Sequence, residues 1–182
     1  DLSIDPNKEH FAGADIGLIA DETVLTLQDQ DGRVVDIERI NYRESGMSHD
    51  EFKQIFIDFV ERHKEYTVAG FFETNGKELL YDELCDISND FARIFDPIKV
   101  HHGNKGQIVE GLVVGFEKNI VKIPKDKDVE SQLYDFRGKQ DSNGNWKFGN
   151  STKSGHDDIV MSMAHANYAR IKWYEGGSVE TW

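Results

Sequence analysis

The chain has 182 residues, 38% of them apolar, with 16 glycines, a single cysteine and a formal net charge of −13. That size and composition suit one compact domain with a sizeable core and make a second full domain improbable. No apolar run approaches the roughly 20 residues that a bilayer-spanning helix needs, the polar start from Asp1 to His10 has no signal-peptide core, and the acidity argues against tight, autonomous nucleic-acid binding without excluding an enzyme that holds cations on carboxylates.

Cys85 has no partner for an internal disulfide and no metal-ligand companion, so it reads as a buried structural thiol of a reducing compartment. The chain starts without methionine, and residues 1 to 10 read as linker before a folded domain at 11 to 182. Phe11 to Gly17 is a short apolar run, Thr23 to Leu27 alternates and is β-branched, and Val34 to Tyr42 alternates again, with turn chemistry at Asp29-Gln30-Asp31-Gly32. This predicts an antiparallel meander of three strands. Ser48-His49-Asp50-Glu51 is a capping box, and Phe52, Ile55, Phe56, Phe59 and Val60 follow at helical spacing, so a helix is expected from about 49 to 63.

Thr67 to Phe72 is continuously apolar, the pattern of a buried central strand, and it delivers Glu73 at its carboxyl end. Leu79, Leu80, Leu84 and Ile87 suggest a further helix. Beyond it come a strand over Phe95 to His101, a helix over Gln107 to Phe116, a short strand over Ile120 to Ile123 before Pro124, and a helix over Val129 to Phe136. Gln140 to Ser154, rich in Asn, Gly and Ser, reads as a hairpin or loop, and a last helix is expected from about His156 to Trp173. Three hairpin strands followed by alternating helices and strands make an α/β mixed central sheet with helices on both faces.

Acids stand at the ends of these elements. Asp15 closes the first strand beside Gly17, Glu73 closes the buried fourth strand, and Asp157-Asp158 open the last helix, where the helix dipole favours negative charge. If the first and fourth strands are neighbours, these side chains converge, and such a cluster can hold two divalent cations about 4 Å apart for phosphodiester chemistry. Each acid also has a structural reading: Asp15 can shape a turn, Glu73 can sit on the surface, and Asp157 can pair with a Ser154 cap. Asp158 shares a helical face with Ser162 and His165, and Asp157 with Met161 and Ala164, so periodicity leaves open which acid faces the sheet.

Three segments carry a resemblance. Gly13-Ala14-Asp15-Ile16-Gly17, Phe72-Glu73-Thr74-Asn75-Gly76 and Gly155-His156-Asp157-Asp158-Ile159-Val160-Met161-Ser162-Met163-Ala164 resemble, in sequence and order, the motifs of tailed-bacteriophage large-terminase nuclease domains. The stretch from His102 to Ile123, with Lys105, Ile108, Gly111 and Leu112, is similar to the family segment in which a helix precedes a short strand ending in proline, here Pro124. The likeness spans about Phe11 to Ala169. It implies an RNase H-like domain dependent on Mg²⁺ or Mn²⁺, with two ions, that cuts double-stranded concatemeric viral DNA during genome packaging. It also implies an ATPase domain upstream in the same protein, a portal and a small terminase subunit as partners, and a place in the host-cell cytoplasm on the procapsid, neither secreted nor in a membrane. By the same resemblance Asp15, Glu73 and Asp158 are the catalytic metal-binding acids, Asp157 helps to hold metal, and Asp21 is an accessory match to an acid that some members carry. His156, beside the paired acids, reads either as accessory, positioning phosphate or tuning its neighbours, or as a plain helix-start residue. The glutamate at 73, where some members have aspartate, and the strongly negative charge depart from the pattern.

Competing readings are weaker. Gly70 to Lys77 imitates a phosphate-binding loop but has five residues between its glycines and Glu78 in place of Ser or Thr. Asp29, Asp31, Gly32 and Glu38 have calcium-loop spacing, but Leu27 occupies the first position and the flanks read as strands. His101 and His102 stand outside any Cys/His set and read as solvated or DNA-facing. Lys105, Lys139, Lys147 and Lys153, with Lys118, Lys122 and Arg137, concentrate in the second half and make a candidate basic, DNA-facing surface. The alternatives to a terminase nuclease are another RNase H-like enzyme, such as a resolvase or transposase core, and a non-enzymatic acidic module that binds calcium or a partner protein.

Overall fold

The computed structural model describes residues 3–18, 21–140, 146–150 and 156–176, with the backbone alone at 102, 140, 146, 147 and 150. Strands β1 (His10–Asp15), β2 (Thr23–Asp29) and β3 (Val34–Ile40) form the expected antiparallel meander. Between β2 and β3, Asp29 accepts hydrogen bonds on one carboxylate oxygen from the N–H groups of Asp31 and Arg33 (3.1 and 2.8 Å), and Gly32 takes a left-handed φ of 85°. That is a tight hairpin turn held by an Asx bond, not a cation loop, and Glu38 pairs instead with Arg62.

A single turn, α1 (Tyr42–Ser45), leads to α2 (His49–His63), which starts with the reciprocal Ser48–Glu51 capping box. Strand β4 (Thr67–Glu73) runs parallel to β1, then α3 (Glu78–Ile87) and α4 (Asn89–Ile94) precede β5 (Phe95–Ile98), parallel to β4. The remainder comprises α5 (His102–Glu117), α6 (Lys127–Asp135), a hairpin of β6 (Phe136–Gln140) and β7 (Trp146–Asn150), and α7 (Asp158–Tyr174). The strand order is β3-β2-β1-β4-β5, so the two strands that end in Asp15 and Glu73 are the centre of the sheet and lie side by side.

Period-two alternation sorts the central strands between two cores. Ala12, Ala14, Leu25, Leu27 and Phe72 face α2, α3 and α4, where Phe72 meets Phe56, Tyr81 and Phe91 with ring centroids 5.6 to 5.7 Å apart. Each fully buried aromatic there contributes about 1.5–3 kcal/mol by its removal from water. On the opposite side, Val24 packs with Ile108 and Leu112 of α5 and with Ile159, Val160 and Met163 of α7, while Phe11 and Phe71 form a small cluster with Ala169. Helix α7 is buried at every residue from Asp158 to Asn167, so it is the element between the sheet and α5 rather than a surface helix.

The approach of α7 to β1 depends on a missing side chain. A Cβ at Gly13 would lie 2.1 Å from the Ser162 carbonyl oxygen and 2.5 Å from the Ala166 nitrogen. The Ser162 hydroxyl donates to the Gly13 carbonyl (3.0 Å) and lies 2.9 Å from the Thr26 hydroxyl. The face of α7 that carries Asp158, Ser162 and His165 is therefore the one against the sheet.

Several elements differ from expectation. Ile120 to Ile123 does not form a strand: it makes one parallel bridge, Arg33 to Lys122, because Val34 N–H and Lys122 N–H exchange bonds with Lys122 and Gly32 carbonyls over a single rung. The helix predicted from Gln107 begins at His102, capped by His101, whose Nδ1 accepts from the Gly103 N–H. The strand predicted to His101 ends at Ile98. Helix α4, with Ser88 as its N-cap, falls in a stretch left unassigned between predicted elements, and Cys85 is half-buried rather than buried.

Candidate functional site

Asp15 is the last residue of β1 and Glu73 the last of β4. The parallel register pairs Gly13 with Phe71 and Ala14 with Phe72, so one step further puts the two acids at the same level. Alternation turns both toward the α7 side, because Phe11 and Gly13 on β1 and Phe71 on β4 already face that helix. Asp158 occupies the first helical position of α7 on the face packed against the sheet, and Asp157 is its N-cap residue without a capping side-chain bond.

The electrostatics reflect this crowding. Burial holds the Asp15 carboxyl well above the usual range, and the charges of Glu73 and Asp158 push it the same way. Burial also raises Glu73, while the Lys77 and Lys105 ammonium groups and a side-chain hydrogen bond with Asp15 pull it down. Asp158 is pushed up to about 6, first by burial and then by the charge of Asp21, against a hydrogen bond from the Glu22 N–H to its Oδ2 at 3.3 Å. Desolvated carboxylates that repel one another are costly without a counter-charge, and protein cations supply only part of it: Lys105 Nζ stands 3.6 Å from Asp157 Oδ2.

A second group of donors adjoins the first. Asp21, His156 and Asp158 each offer a ligand atom, all within 4.8 Å of one another. His156 Nδ1 lies 3.8 Å from Asp21 Oδ1 and 3.6 Å from Asp158 Oδ2. Asp21 is brought back to the end of β1 by a loop that Gly17 permits, since a Cβ there would meet the Asp21 carbonyl at 2.2 Å. Thr23 pins the same loop by exchanging hydrogen bonds with Gly17 N–H and C=O at 3.1 and 3.0 Å.

His165, placed on the Asp158 face by its spacing but given no role from the sequence, is a fully buried imidazole. Its Nδ1 is 3.2 Å from the Ala14 carbonyl, its Nε2 is 3.8 Å from Glu73 Oε2, and burial lowers its pKa to about 4. The signal that pointed to it was its seven-residue spacing from Asp158.

Of the basic residues, Lys105 lies beside the acids on α5, Lys139 is exposed on β6, and Lys147 pairs with Lys139 across the hairpin through its backbone. Lys153 and Ser154 lie outside the described residues. His101 serves as a helix cap.

No family model matches the chain. A terminase large subunit from Thermus virus P23-45 is 29% identical over 177 residues, which cover 96% of this chain and 34% of that protein. The large terminase nuclease of thermophilic phage G20c superposes with a TM-score of 0.74 at 26% identity, covering 90% of this chain and 83% of that one. By sequence and by fold, this chain is similar to the large-terminase nuclease domains. Its mixed sheet is RNase H-like, and the chain spans about a third of the length of the curated terminase subunits it matches. The same phage G20c nuclease, solved with bound magnesium, superposes with a TM-score of 0.68 at 26% identity over 90% of this chain and 82% of that one.

Proposed function

We propose that this chain is a divalent-metal-dependent endonuclease domain that hydrolyses phosphodiester bonds of double-stranded DNA, cutting concatemeric viral DNA during genome packaging. The observation that carries the reading is the meeting of Asp15 and Glu73 at the ends of adjacent parallel strands, with Asp158 of α7 acting on the same desolvated group. The donors fit hard cations: they are carboxylate oxygens, they are raised by burial and mutual repulsion, and a bound cation removes the cost of ionising them. They divide into Asp15 with Glu73 and Asp21 with Asp158 and His156, a division that supports two ions.

Asp15, Glu73 and Asp158 are the residues that hold metal, with Asp157 assisting and Asp21 and His156 accessory. When bound, paired divalent cations activate water for attack and stabilise the departing 3′ oxygen. The chain's own contribution is positional: the sheet fixes Asp15 and Glu73, and the Gly13–Ser162 contact fixes α7. Lys105 and Lys77 neutralise part of the carboxylate charge and are placed to meet a phosphate. Lys105, with Lys139 exposed on β6, offers DNA little positive surface against a net charge of −13, and DNA is delivered by the rest of the protein. In this reading an ATPase domain precedes the chain, the portal and the small terminase subunit are its partners, and it works on the procapsid in the host cytoplasm. None of the helices among the described residues is long and apolar enough to cross a membrane.

The test is incubation of supercoiled plasmid with Mn²⁺, Mg²⁺ or chelator. Metal-dependent conversion to nicked and linear forms is expected; cleavage that persists in excess chelator, or none with either metal, contradicts the reading.

A further inference from the structure

His165 is fully buried in α7, and the carbonyl of Ala14 can only accept a hydrogen bond, so the Nδ1 facing it carries the hydrogen. The other nitrogen, Nε2, has no hydrogen-bond partner among the described residues and faces Glu73, with Oε2 3.8 Å away. That separation is too long for a hydrogen bond, so Nε2 is not donating to Glu73. Two acceptors thus stand 3.8 Å apart, and a buried nitrogen without a partner is costly unless a donor reaches it. That spacing leaves no room for a molecule directly between them, but one water lying beside the line that joins them, within hydrogen-bond distance of each, can donate to both.

We propose that His165 is a positioning residue for the metal site: locked by its bond to Ala14, it presents Nε2 to a water lodged against Glu73, and through that water it holds the Glu73 carboxylate in line with Asp15. The inference rests on the metal-dependent reading above. Ala14 precedes Asp15 directly, so one imidazole ties the backbone beside the first acid to the side chain of the second. Partners that orient metal-binding carboxylates in this manner are worth roughly 10–100-fold in metal affinity.

Two substitutions separate orientation from packing. In His165→Asn the amide nitrogen replaces Nδ1 and keeps the bond to Ala14, but nothing stands at Nε2; in His165→Gln the amide reaches the Nε2 position and can accept. Calorimetric titration of the 182-residue chain with Mn²⁺ is expected to show affinity about tenfold weaker for His165→Asn, and close to the parent for His165→Gln, with similar thermal melts for all three. Parental affinity in a folded His165→Asn overturns the inference. Should that variant not fold, the ¹⁵N resonance of His165 Nε2 in the parent decides: it should move on addition of Mg²⁺, and an unmoved resonance overturns the inference. A parent that binds Mn²⁺ and cuts plasmid, with His165→Asn binding equally well, sinks this inference alone. A parent that neither binds nor cuts sinks the nuclease reading with it.

Discussion

Gly13 of β1 lies so close to Ser162 of α7 that an added Cβ would be 2.1 Å from the Ser162 carbonyl oxygen. This contact sets the depth at which α7 docks, and hence how near Asp158 comes to Asp15. Gly13→Ala must push the helix out or bend the strand. Overpacking of this kind typically costs about 1–3 kcal/mol, and backbone on both sides leaves no flexible side chain to give way. The expected result is a melting temperature lower by several degrees together with strongly reduced cleavage. A variant that melts and cuts like the parent would show that the helix is not held at this depth.

Asp157 and Asp158 should differ in effect. Asp158 is buried on the face against the sheet, whereas Asp157 stands at the N-cap position without a capping side-chain bond and faces Lys105 at 3.6 Å. Asp158→Ala is expected to abolish plasmid cleavage, on the order of 100-fold or more, without unfolding the domain, and Asp157→Ala to be milder. The measurement is the initial nicking rate in Mn²⁺. The opposite ranking would exchange the two roles.

The acid cluster predicts a pH dependence in chelator. Asp158 is raised to about 6, and Asp15 is raised too, both first by burial. Their folded forms hold the proton more tightly than the unfolded chain does, so the stability they contribute is complete below about pH 4, the unfolded value, and is lost as pH rises through about 6. Other carboxylates, such as Asp36 beside His63, are held low and act in the reverse sense, so the comparison must be made against a variant. The stability of Asp158→Asn relative to the parent should grow between about pH 4 and 7, by on the order of 2 kcal/mol. A constant difference across that range would mean that Asp158 is not desolvated.

Much of this arrangement was legible beforehand, for reasons that differ by element. The meander, α2 and β4 follow from alternation, a capping box and a continuous apolar run, and Asp15 and Glu73 stood out because acids closed apolar strands. Helix α4 was missed because its six residues, Asn89–Ile94, are too few turns for an apolar period to show, although Ser88 is a favoured N-cap residue. The strand at Ile120 to Ile123 failed because only Lys122 finds a partner, and β propensity is not a strand without a ladder. Which face of α7 meets the sheet was beyond periodicity, since a helix buried all round has no polar side to orient it. For the same reason the spacing put His165 on the Asp158 face but gave it no role.

Binding of DNA should be weak and steeply salt-dependent, because a chain of net charge −13 repels phosphates and must rely on a few cations such as Lys105 and Lys139. Fluorescence anisotropy with a duplex should register at least a tenfold loss between about 50 and 200 mM salt. Tight binding at physiological salt without metal would mean that the charge distribution concentrates far more positive potential than this sequence suggests.

The most direct test of the metal site compares the parent with Asp15→Asn and Glu73→Gln on supercoiled plasmid in Mn²⁺, with calorimetric Mn²⁺ binding measured on the same samples. These substitutions keep shape and remove charge at the two strand ends, and relief of the mutual repulsion should leave both variants as stable as the parent or more so. The account predicts folded variants that have lost both metal binding and cleavage. Folded variants that still bind Mn²⁺ and cut at the parental rate would contradict it.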